Sequence, residues 1–172
     1  MLAVLLDSAS VDPVTTTVLI GRARSEVFDY LADIANHPEF TDHYMVDWRL
    51  TRIDSVGSGA GGRFRITAPG RFNWADLTLV EVDSPHLIVA AGRGGKYNRT
   101  RLLISFTLTE QSSSMTKVEM VTEVESAMPS DRIARSLGGH GWHKRKGAKA
   151  MRRLRSILEE GEARGERATV SA

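Results

Sequence analysis

The chain has 172 residues, 41% hydrophobic and 26% charged, with a formal net charge of only +2. That is the composition of one ordinary globular domain, and it excludes both a disordered chain and a strongly basic protein that binds nucleic acid by charge alone. Cysteine is absent, so disulfides, thiolate nucleophiles and cysteine-ligated zinc are excluded as well.

Residues 1–13 form a lead-in. Met1 to Leu6 is apolar, but it has no basic segment before it and meets Asp7 at once, too short for a signal-peptide core or a membrane span. The expected location is therefore the cytoplasm. Val14 to Ile20 is rich in β-branched residues and reads as a first strand. Ser25 then caps a short helix carrying Val27, Phe28, Leu31, Ile34 and Ala35 on one side, and Asn36-His37-Pro38 stops it. Glu39-Phe40 begins another turn of helix or a tight corner.

From Tyr44 the period changes to two, with Tyr44, Val46, Trp48 and Leu50 alternating against polar neighbours to about Asp54. Gly57 to Gly62 predicts a turn before a strand over 63–67, and Pro69-Gly70 predicts another. Strands follow over 72–82 and 86–91, parted by Asp83-Ser84-Pro85, and Gly92 to Gly95 turns the chain again. Leu102, Ile104, Phe106 and Leu108 mark one further strand and Val118, Met120, Thr122 and Val124 the next, with Ser112 to Ser114 between them.

The last long segment, Pro129 to Gly161, reads as an amphipathic helix opened by Ser130 and Asp131. Its stripe runs through Ile133, Leu137, Gly147, Ala150, Met151, Leu154, Ile157 and Leu158. After the first strand and its short helices, six strands joined by hairpin-length turns must pair antiparallel, and a curved seven-stranded sheet of that kind needs the helix to cover its concave face. The expected class is α+β: one domain over 14–161, with a polar, flexible tail over 162–172.

Ser25-Glu26-Val27-Phe28-Asp29-Tyr30-Leu31-Ala32-Asp33 leading to His37-Pro38-Glu39-Phe40 resembles the SRPBCC superfamily, the START-like and polyketide cyclase/dehydrase-like proteins. The steps Glu81 to Pro85 and Leu108-Thr109-Glu110 extend the likeness. It implies a helix-grip fold, a seven-stranded sheet wrapped around the C-terminal helix with a deep apolar cavity between them. It further implies a hydrophobic small-molecule ligand, polyketide-, lipid- or sterol-like, and offers no universal catalytic motif to carry over.

Gly57 to Gly62 satisfies G-x-G-x-x-G in letters, but a strand and not a helix follows, so a flexible hairpin is the better reading. His140 and His143 stand three apart without an acidic neighbour, which gives no metal site, and no cofactor is expected. His140, His143 and Lys144 interrupt the apolar stripe of the long helix. His140 is read either as a polar contact to a ligand or as a rim histidine bonded to a loop carbonyl; Lys144 must pair or reach water.

Tyr44, Trp48, Phe64, Trp74 and Phe106, with Met120 and Leu137, supply a cavity wall or a plain core. Asp76 shares a face with Trp74. Inward, it is a buried carboxylate and a candidate base beside His140; with the pleat reversed, Leu77 and Leu79 point in and Asp76 is solvated. Seven Lys or Arg and no acid lie between Lys144 and Arg155. They read as a solvated helix face or as contacts to an anionic membrane surface. Three functions follow as expectations: binding of a hydrophobic ligand, a cyclase or dehydratase acting on a polyketide-like substrate, and a lipid-surface role for the basic helix.

Overall fold

β1 (Val14–Ile20) is an edge strand, paired on one side only, with β7 (Met115–Ser126). From β7 the sheet continues in the order β6 (Thr100–Ser112), β5 (Leu87–Gly94), β4 (Arg71–Asp83), β3 (Gly61–Ala68) and β2 (Met45–Leu50). Every pairing is antiparallel. Between β1 and β2 the chain forms α1 (Arg24–Ala32), a 3-10 turn (Ile34–Asn36) and α2 (His37–Thr41), and after β7 comes the long α3 (His140–Glu160). These elements come from a computed structural model that describes residues 13–68, 71–126, 139–161 and 165–170. The predicted α+β architecture of seven antiparallel strands with one long helix is the one observed. The helix start predicted at Pro129, with Ser130, Ile133 and Leu137, lies outside the described residues, as does most of the lead-in.

Alternation along the strands sorts the residues cleanly. Leu77, Leu79, Ile88, Phe106, Leu108 and Val118 are nearly inaccessible on the concave face. Asp76, Thr78, Ser105, Thr107, Thr109, Lys117 and Glu119, their neighbours in sequence, carry charge or hydroxyls on the convex face. α3 turns Gly147, Ala150, Met151, Leu154 and Ile157 inward and stops at Gly161, whose φ of 64° is the left-handed conformation glycine adopts at helix ends.

Two glycine-rich stretches expected as turns are strands in part. Gly92 pairs with Leu77, and a Cβ on it would stand 2.0 Å from the backbone oxygen of Asp76, so only glycine allows β5 to run that close to β4. Gly62 pairs with Leu50, and its missing Cβ leaves the space filled by the Trp48 ring, 2.8 Å away at nearest. β2 also departs from strict alternation. Asp47 has φ 55° and the register shifts between Val46 and Arg49, so Tyr44 and Met45 are both buried.

The tail over 162–172 was expected to be flexible, but its described part, 165–170, is docked. Leu50 N–H donates to the Thr169 carbonyl at 2.8 Å, and Ala168 N–H donates to that of Ala35 at 2.9 Å. Val170 bridges Leu50 in parallel, Arg167 pairs with Asp33 at 2.5 Å, and Ala168 is buried. This strap covers the free edge of β2, which would otherwise expose unpaired backbone groups. Ala168→Glu would bury an unpaired charge there and is expected to lower the unfolding free energy by about 1–3 kcal/mol. Hydrogen exchange should show the Leu50 amide losing protection while amides of β6 and β7 keep theirs. An unchanged Leu50 amide would mean the strap does not dock in solution.

Candidate functional site

α3 determines where an interior site can lie. At its middle, a Cβ on Gly147 would meet Met120 Cε at 3.0 Å and Thr16 at 3.5 Å, so the helix sits tight on β1 and β7 at that point. At its end, Glu159 accepts from Gly21 N–H at 2.5 Å, and Arg22 donates to the Leu158 carbonyl at 2.7 Å. On the other flank, Arg153 pairs with Asp42, and His43 donates from Nε2 to the Lys146 carbonyl at 3.2 Å. The helix is thus held between β1 on one side and the turn after α2 on the other, and its buried face joins the core formed by the concave side of the sheet.

That inner region carries an aromatic cluster. Trp48 stacks on Phe64, with ring centroids 4.4 Å apart and planes 29° from parallel. His37 meets Trp48 edge-on at 6.2 Å and Phe106 edge-on at 5.9 Å, and tilts against Phe40 at 5.5 Å. A second group lies under the start of α3. Tyr44 meets Trp142 edge-on at 6.0 Å and His43 at 4.8 Å, and Lys146 lies 5.8 Å from the Trp142 ring centre.

Two polar atoms inside this shell have no hydrogen-bond partner among the described residues: Trp48 Nε1 and His43 Nδ1. His37 is 3% exposed, and its Nε2 lies 2.9 Å from the Leu31 carbonyl. A carbonyl can only accept, so Nε2 carries the proton and Nδ1 the lone pair. Burial depresses the His37 pKa below its ordinary 6.5, partly opposed by that hydrogen bond and by Asp33, so the ring is neutral. Burial likewise depresses His43, with Lys149, Arg153 and Lys146 adding to the effect. Burial raises the Tyr44 phenol well above its ordinary range, so it stays protonated. Glu39, also buried, accepts from the Tyr30 hydroxyl at 2.6 Å.

Of the residues singled out in the sequence, Tyr44, Trp48, Phe64 and Phe106 come together in this interior. Met120 belongs to the same core but ends beneath Gly147. Trp74 does not join them. It is 46% exposed on the convex face beside Arg65, whose guanidinium stands 5.9 Å from its ring centre. Asp76 shares that face, bound by Arg63 through two hydrogen bonds of 2.7 and 3.0 Å. The reason is the pleat: Phe64 opposes Ala75, both inward, so Arg65 and Trp74 turn out together. The premise that made Asp76 a candidate base, an inward carboxylate, therefore fails.

His140 is exposed at the first turn of α3, and Lys144 is exposed beside β1. Leu137 lies outside the described residues. Among the described residues no group of three His, Cys, Asp or Glu could hold a metal ion, and no helix is long and apolar enough to cross a membrane. Of the basic run, Arg153 and Arg155 are paired with Asp42 and Glu159, and Lys146 donates to the His43 carbonyl.

Sequence reasoning missed His37, His43 and Trp142 as site residues. Trp142 stands five residues before Gly147, off the helical stripe, and only the reach of an indole brings it in. His37 was visible as a helix stop, and its burial followed from the proline beside it and from Phe40.

Solved structures share this architecture. The Zhui aromatase/cyclase from Streptomyces sp. R1128 aligns with TM-score 0.68 and 11% identity, over 88% of this chain and 98% of its own. The fold is of the helix-grip type. Ginseng major latex-like protein 151 from Panax ginseng aligns with TM-score 0.61 and 11% identity, over 86% and 97% of the two chains. A START superfamily protein from Mycobacterium smegmatis aligns with TM-score 0.55 and 12% identity, over 78% and 94%. No protein-family model and no curated sequence matches the chain. Identities this low establish the helix grip and leave the chemistry to the residues themselves.

The buried neutral histidine has a measurable consequence. Between its depressed folded pKa and 6.5 the unfolded chain binds more protons, so the stability conferred by neutral His37 is complete above about pH 6.5 and is lost as pH falls toward the folded value. His43 acts with the same sign. Denaturant unfolding between pH 7.5 and 5.5 should show stability falling by up to about 1.4 kcal/mol per pH unit for one such group. His37→Gln should flatten that slope whatever it does to the absolute stability; an unaltered slope would contradict a buried neutral ring.

Proposed function

We propose that the protein binds a hydrophobic small molecule between the concave sheet and α3, against the wall made by Trp48, Phe64, Phe106 and Tyr44. The observation that carries this reading is the Trp48 indole. Its N–H is buried, has no acceptor among the described residues, and belongs to a ring stacked on Phe64 within a largely apolar interior. A buried donor without a partner costs about 1–3 kcal/mol, and natural cores rarely retain one without use. A ligand carbonyl or ether oxygen would satisfy it.

Magnitudes explain why that contact would matter. Burying about 300 Å² of ligand surface at ~25 cal/mol/Å² gives roughly 7 kcal/mol, and association costs of at least about 4 kcal/mol leave only weak, millimolar binding. A hydrogen bond to an otherwise unpaired donor moves that by about tenfold. The ligand this interior favours is therefore an apolar body, aromatic or polycyclic, with one oxygen acceptor. The aromatase/cyclase among the structural neighbours supports a polyketide-like candidate, and the START superfamily neighbour keeps lipid- and sterol-like candidates in the screen.

Catalysis as a cyclase or dehydratase is the second reading, and His37 is the observation that favours it. A neutral imidazole with its lone pair on Nδ1, among aromatic rings, is a suitable general base. Turnover of a polyketide-like substrate that His37→Gln abolishes would establish it, and a ligand recovered unchanged would leave binding alone.

Thermal-shift screening of aromatic polyketides, sterols and fatty acids should find stabilising ligands. For the best of them Trp48→Phe should weaken binding about tenfold. The free variant should unfold within about 1 kcal/mol of wild type, because the lost ring area is offset by removal of the unpaired donor. Equal affinity for the variant would remove Trp48 from the site.

A further inference from the structure

A separate hollow lies on the other side of α3, where the helix runs beside the edge strand β1. Its volume is about 280 Å³, and Thr16, Val18, Lys144, Ala148, Met151 and Arg152 line it together with Thr15 and Thr17. At the ~30 Å³ occupied by one water molecule, that is room for roughly ten heavy atoms. Four features give it a chemical character.

Its floor is apolar, made by Val18 with Ala148 and Met151, one turn apart on the helix. Its helix side is bounded by two cations, Lys144 and Arg152, whose eight-residue spacing puts them about 12 Å apart along the axis. Both are exposed, neither pairs with an acid among the described residues, and no acidic side chain lines the hollow. Thr16 is 8% exposed, and its Oγ1 is buried without a hydrogen-bond partner among the described residues. β1 is also an edge strand, so alternate backbone N–H groups point away from β7 and add donors on that side.

An apolar floor explains an apolar ligand, and two unpaired cations explain an anionic one. Only an amphipathic anion uses both. We propose that the groove between β1 and α3 is a second binding site, for a medium-chain amphipathic anion. Its carboxylate or phosphate head meets the Arg152 guanidinium, its chain lies over Ala148 and Met151, and Lys144 bounds the far end. Arg152 takes the head because a planar guanidinium offers two parallel N–H donors to a carboxylate or phosphate, where an ammonium is a point charge. The site is distinct from the interior proposed above, where aromatic rings and neutral polar atoms offer an anion no counter-charge.

The test is an amide-resolved NMR titration of the full chain with sodium decanoate, decyl phosphate, decanol and inorganic phosphate. Decanoate or decyl phosphate should bind saturably and shift the amides of Thr15 to Val18 and of Ala148 and Met151. Whichever anion binds tighter identifies the head. Decanol and inorganic phosphate, lacking the head or the chain, should bind at least about tenfold more weakly. Arg152→Gln, an exposed change that leaves the core intact, should weaken the anion about tenfold, and Lys144→Gln by less. Decanol binding as well as decanoate, shifts confined to Trp48, Phe64 and their neighbours, an unaffected Arg152→Gln variant, or no saturation would each overturn the proposal. Shifts confined to the interior would at the same time favour the interior site, so the two failures are distinguishable.

Discussion

The seating of α3 is the constraint on which the remaining geometry depends. Gly147 lets the helix approach β1 and β7 closely at one point, because a Cβ there would stand 3.0 Å from Met120 Cε and already touch Thr16 at 3.5 Å. Glu159 and Arg22 pin its far end, and Arg153 and His43 tie it to the turn after α2. A helix held by its flanks in this way lies across the concave side of the curled sheet. The interior beneath it is lined by what the strands turn inward, chiefly Phe64, Phe106 and the bulged Trp48.

Charge is partitioned by the same geometry. The convex face pairs its ions in the open, Arg63 with Asp76 and Arg65 with Asp47, where each pair contributes little to stability. In the interior, His37 is neutral through desolvation and Tyr44 is held protonated. An apolar ligand would thus meet aromatic faces and a few neutral donors, whereas the unpaired cations of α3 lie outside the grip.

Much of this was legible in the chain because hydrophobic period reports burial directly. The alternation of Leu102, Ile104, Phe106 and Leu108 placed β6, and the stripe from Gly147 to Ile157 placed the buried face of α3. What was not legible depended on contacts distant in sequence. Gly92 reads locally as a turn residue, and only the backbone of Asp76 across the sheet explains why it sits in a strand. The face of Asp76 was undecidable from its own strand, since Trp74 and Leu77 are both apolar and opposite in phase. The pairing of Phe64 with Ala75 settles it. The strap over 165–170 is polar in composition and is held by backbone hydrogen bonds to Ala35 and Leu50, which leave no trace in hydropathy.

The claim at the centre of this account is that the grip encloses a space lined by aromatic rings. Xenon enters apolar cavities that water leaves dry. Diffraction from crystals pressurised with xenon tests the claim most directly. The account predicts a xenon site within van der Waals contact of Trp48, Phe64 or Phe106, on the side facing α3. A concave face with no xenon bound anywhere along it would contradict the account.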